Sequence, residues 1–124
     1  MIGHFKSVAD AAQAKRIIDR IQEQVKVDVK AGRMSESDLP QRFTDHIMSL
    51  FKELEMYIVA PSELSQFNYE FDVEQQGDSL VLTTEEYDVS AFLKILVSGG
   101  ARVEVFSRHD TPPRKRLMKS NSAW

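Results

Sequence analysis

Three histidines, His4, His46 and His109, carry most of the acid–base and metal-ligating potential of this 124-residue chain. No two can share a helical turn, and neither an H-E-x-x-H pair nor a His/Cys cluster occurs. The chain has no cysteine, which removes thiolate zinc sites, Cys nucleophiles and disulfide scaffolds together. No G-x-S-x-G turn presents a serine nucleophile. The only glycine pair, Gly99-Gly100, follows a helical pattern rather than opening one, so it reads as a helix stop and not a phosphate cradle. A catalytic centre would have to be assembled from dispersed histidines and carboxylates. No catalytic, cofactor-binding or metal-ligating residue is assigned, and an enzyme is the less favoured class.

Charge is the more informative chemistry. Residues 108–124 hold five of the sixteen Lys/Arg and one of the nineteen acids, a net of +4 against −7 for residues 1–107. Within the acidic body, Glu70, Asp72 and Glu74 alternate with Tyr69, Phe71 and Val73, so a strand here would turn its carboxylates to one face and its apolar residues to the other. That acidic face suits docking of a basic partner, including the chain's own tail. In the tail, Arg114, Lys115, Arg116 and Lys119 are candidates for nucleic acid or an acidic protein. Phe106, at the end of a last strand, is a candidate for contact with a protein or a second copy.

Periodicity supplies the elements that must position these groups. Ile2–Phe5 reads as a short strand before Ser7, whose spacing to Asp10 resembles a capping box. Ala11, Ala14, Ile18, Ile21 and Val25 form one helical stripe, predicting a helix over 8–28 that Gly32 terminates. Strand-like alternation of Val25, Val27 and Val29 with charged residues blurs its end. Phe43, Ile47, Leu50, Phe51, Leu54 and Ile58 recur at three- and four-residue spacing and predict a second helix over 39–55, with Pro40 in its first turn. Residues 62–66 read as a loop or single turn. Strands over 68–75 and 79–84 flank a turn at Gly77. A third helix over 89–98, capped by Asp88 or Ser90, precedes a strand over 101–107. Ile18, Ile21, Phe43, Ile47, Phe51, Phe71, Leu82, Phe92, Leu96 and Val105 are the predicted core.

The order predicts an α+β fold: one compact domain over 1–110, followed by a flexible basic tail over 111–124. Its four-stranded sheet is expected to be ferredoxin-like, with two long helices after strand 1 and one before the last strand. Strand 1 would be central there, so it is either very short or continued upstream. The last strand lacks the Gly-aromatic-Gly/Ala-Phe core of RNA-recognition motifs, and the hairpin's acidic face would repel phosphate. No apolar run approaches the roughly 20 residues that span a bilayer, and the N-terminus has no secretory pattern. The expectation is a small cytoplasmic, bacterial, non-catalytic protein–protein interaction module without cofactor or membrane partner. Regulatory, immunity/antitoxin-like and accessory complex subunits all fit, and self-association is expected. The alternative is a nucleic-acid-binding accessory protein acting through the tail.

Overall fold

The computed structural model describes residues 1–35, 40–86 and 88–106. His109 and the whole predicted tail, including Arg114, Lys115, Arg116 and Lys119, lie outside them.

Ser7 caps α1 (Val8–Lys30), its hydroxyl accepting from the Asp10 amide at 3.1 Å. The predicted stripe is fully buried and runs one step further: Ala11, Ala14, Ile18, Ile21 and Val25 are followed by Asp28. The helix therefore continues through the Val27–Val29 stretch. Gly32, with φ +81°, takes the left-handed conformation just beyond it.

Helix α2 (Asp45–Leu54) begins six residues later than the sequence predicts. Thr44, not Pro40, sets its start, because the Thr44 hydroxyl accepts from the Ile47 amide at 3.1 Å. The segment over 62–66, expected to be a loop, belongs to a 3₁₀ helix (Pro61–Asn68) that buries Leu64 and Phe67 completely. Proline at its first position fits, since that amide would have no partner.

The sheet contains β1 (Ile2–His4), β2 (Phe71–Gln76), β3 (Ser79–Thr84) and β4 (Arg102–Glu104) in the order β2-β3-β1-β4, all neighbours antiparallel. Gly77, at φ +62°, makes the tight turn between β2 and β3. Helix α3 (Ser90–Ser98) lies between β3 and β4 in sequence. Neither Asp88 nor Ser90 caps it as predicted. The Gln66 carboxamide, reaching from the 3₁₀ helix, accepts from the Ala91 amide at 2.9 Å.

The result is a single α+β unit whose helices cover one sheet face. Phe92 joins Phe67 and Phe71 across the 3₁₀ helix, α3 and β2, with ring centroids 5.0 and 4.7 Å apart. Seven of the ten predicted core residues are buried; Phe43 and Phe71 are partly buried against the core. Val105 is the correction, at 58% exposed. Strand β4 pairs with β1 only as far as Glu104 opposite Ile2, so the ladder runs out before Val105 can be packed. No helix among the described residues is long and apolar enough to cross a membrane.

Phe67→Ala should therefore lower unfolding free energy by about 3–5 kcal/mol, whereas Val105→Ala should stay within about 0.5 kcal/mol of the parent. Urea denaturation of the two variants checks both.

Candidate functional site on the open face of the sheet

Alternation along each strand divides the side chains between two faces. Gly3, Leu80 and Leu82 are buried on the helix side, where a Cβ on Gly3 would come within 3.3 Å of Leu96. Val103, Phe71 and Val73 pack against the same core. The opposite face carries Ile2 and His4 from β1, Ser79, Val81 and Thr83 from β3, Asp72, Glu74 and Gln76 from β2, and Arg102 and Glu104 from β4. Their register forms two transverse rows. One reads Gln76–Ser79–His4–Arg102. The other reads Glu74–Val81–Ile2–Glu104.

Asp72 and Glu74 thus stand exposed on the face away from the helices, opposite the side taken by Phe71 and Val73, and Glu70 is exposed immediately before β2. Glu74 accepts from the Gln76 carboxamide at 2.8 Å. Phe106 is partly buried two residues beyond β4.

The tertiary structure assembles a group that sequence spacing did not reveal. His4 Nε2 lies 2.5 Å from a Glu104 carboxylate oxygen, and its Nδ1 lies 3.2 Å from Ser79 Oγ. These residues are 100 and 75 positions from His4, and only the β3–β1–β4 register brings them together. A hydroxyl, an imidazole and a carboxylate in line have the order of an activated nucleophile, base and orienting group. Among the described residues, the surroundings do not complete such a site. Both β1 and β3 are paired on both sides, so their backbone amides are committed to the ladder and not aimed at a developing oxyanion. The line fixes the imidazole on the sheet face away from the helices.

His46 is elsewhere, exposed on α2 and lining a groove with Arg20, Asp45 and Glu53. Arg20 donates to Glu53 at 2.9 Å, which occupies both charges. Among the described residues, no three His, Asp or Glu side chains are grouped to hold a metal ion.

Two buried carboxylates, not singled out in the sequence, hold the scaffold. Asp28 is fully buried. Its Oδ1 accepts from Arg33 Nε at 2.9 Å and Gln24 Nε2 at 3.0 Å, and its Oδ2 accepts from the Thr44 hydroxyl at 2.5 Å. Continuing the α1 stripe from Val25 by three residues lands on Asp28, the signal that could have exposed it. Glu63 accepts from the Ala60 amide at 2.8 Å, Lys94 Nζ at 2.9 Å and the Ser90 hydroxyl at 2.6 Å. Burial works to raise both carboxyls. It is outweighed at Asp28 by hydrogen bonds from Thr44, Arg33 and Gln24, and at Glu63 by those from Ala60, Ser90 and Lys94, so both lie below their ordinary values.

A depressed folded-state value contributes stability above the unfolded value, about pH 4, and that contribution is lost as pH falls through the folded value. Asp28→Asn and Glu63→Gln should each flatten the acid limb of stability below about pH 4. Asp28→Asn should also cost about 1–3 kcal/mol near neutrality, where the natural carboxylate is ionised. Urea midpoints measured across pH check both effects.

Comparison with known proteins gives no match to a curated protein and none to a solved structure. It does give a family match over residues 1–116, nearly the whole chain, and the chain therefore belongs to the family of unknown function DUF6375.

Proposed function

We propose that this protein is a non-catalytic protein–protein interaction module whose open sheet face receives a basic partner. The observation that supports the reading is the row Glu74–Val81–Ile2–Glu104: two half-buried apolar residues at the centre of the sheet face away from the helices, with a carboxylate on each side. Apolar centres supply desolvation energy, while peripheral charges steer encounter and reject partners of the wrong sign. Asp72 extends the acidic side along β2.

We read the sheet as ferredoxin-like: the order β4-β1-β3-β2, counted from the other edge, supports that reading, with α2 and the 3₁₀ helix added between β1 and β2. Such a sheet leaves one face for binding. Strand β4 is an edge, and a second copy could pair there, with Phe106 adjoining. A cytoplasmic regulatory, immunity-like or accessory subunit is the role we favour.

The test is affinity purification from the source cells with the natural chain and with a Glu74→Lys/Glu104→Lys double variant. A stoichiometric protein retained by the first and lost from the second, at unchanged circular dichroism, is the expected result. Equal retention by both would remove the sheet face from the reading. Recovery of nucleic acid instead, with affinity falling steeply as salt rises, would favour the tail-mediated alternative.

A further inference from the structure

Helices α2 and α3 end at one cavity, beside the start of α1. Leu54, the last residue of α2, and Ser98, the last of α3, line it together with Asp10 of α1 and Glu55. The final carbonyls of a helix carry partial negative charge, so the helix ends and the carboxylates give this cavity one sign. Its described lining contains no Lys, Arg or His to offset them. Among the described residues, neither carboxylate takes part in an ion pair or accepts a hydrogen bond. Asp10 lies in the first turn of α1 and also answers that helix's positive end. Glu55 has no such duty. Its φ of +53° is the left-handed conformation that favours glycine just past a helix, yet the position holds a glutamate.

Size and lining define what fits. The cavity encloses about 210 Å3, below the roughly 300 Å3 at which pockets take drug-sized ligands, so it has room for one side chain. Ile17 and Ile95 give it an apolar wall suited to an alkyl stem. Carboxylates on separate elements suit a compact ammonium with divergent donors better than the planar fork of arginine, which matches a single carboxylate. Tyr57 and Val97, chain neighbours of the lining residues Met56 and Ser98, are 71% and 56% exposed. Such an apolar border would be covered by a protein surface and left bare by a free amine.

We propose that this cavity receives a lysine side chain of a protein partner, with its ammonium at Asp10 and Glu55 and its stem against Ile17 and Ile95. The site uses no residue of the open sheet face, so it stands or falls independently of that reading.

The probe is Nα-acetyl-lysine methylamide, titrated into the isotope-labelled full chain. The norleucine analogue, which keeps the stem and lacks the ammonium, is the control. Lysine should shift the Gln13, Glu55, Ser98 and Gly99 amide signals saturably, with a dissociation constant in the millimolar range. Binding should weaken at least about tenfold for norleucine, and equally for lysine on the Asp10→Asn/Glu55→Gly variant. Glu55→Gly alone should weaken lysine binding while the urea midpoint stays equal or rises, because glycine accepts the left-handed backbone without strain. Shifts that fail to saturate, an equal response to norleucine, or undiminished binding by the double variant would overturn the site. Zero-length carbodiimide coupling in extracts of the source cells then identifies the carrier. An amide joining Asp10 or Glu55 to a lysine of another protein, located by mass spectrometry, is the expected product. Coupling only to a small free amine, only to a second copy of this chain, or to no lysine at all would overturn the protein partner.

Discussion

A carboxylate withdrawn from water must be met by donors, or its desolvation costs several kcal/mol. Asp28 meets that requirement by gathering side chains from three places. Gln24 lies one turn back on α1, Arg33 follows the helix, and Thr44 stands at the start of α2. The Asp28 carbonyl also accepts the Arg33 amide at 2.8 Å and the Met34 amide at 3.2 Å, closing the chain over the helix end. One residue therefore governs where α1 stops, how the chain leaves it and where α2 is anchored. Thr44 is the shared part, donating to Asp28 while its oxygen caps α2. The packing of Phe43 edge-on against Phe51, with centroids 5.1 Å apart, follows from that anchoring.

A second polar network has the same logic at the other end of the helical layer. Helix α3 has no capping side chain at its own N-terminus, so Gln66 supplies the acceptor from the 3₁₀ helix. Glu63 holds Ser90 and Lys94, both on α3, and the Ala60 amide that begins the 3₁₀ helix. The aromatic contacts of Phe67 with Phe92, and of Phe92 with Phe71, then lock this layer onto β2. Polar satisfaction and aromatic packing thus converge on the helix-covered side of the sheet. The other side carries the row Glu74–Val81–Ile2–Glu104, with a carboxylate at each end, and the His4–Glu104 pair.

That division of labour gives the binding proposal its physical basis. The helix-covered face is committed to stability, and substitutions there act through unfolding. The opposite face is rigid because its backbone is paired, yet its side chains can change without disturbing the core. Ile2 and Val81 are held at its centre by the same ladder that aligns Glu74 and Glu104 beside them. A site on paired strands presents its groups at fixed separations, which suits recognition of a spaced pattern of charges.

Local pattern was sufficient for much of this. The α1 stripe, the alternation of β2, the Gly77 turn and the apolar face of α3 follow from residue spacing, because each is decided within a few neighbouring residues. The sequence also placed Asp72 and Glu74 opposite Phe71 and Val73, since alternation alone divides a strand's faces. What depends on distant partners was not legible. Asp28 looked like one more polar residue until Thr44 and Arg33 closed on it, and the start of α2 moved with it. The burial of Leu64 and Phe67 in a 3₁₀ helix arises from packing against α1 and α3, not from its own periodicity. Val105 continues an alternating run, but the length of β1 decides how far β4 can pair. The grouping of His4, Ser79 and Glu104 required a register between strands up to 100 residues apart, and pairing across such separations is fixed only when the whole sheet forms.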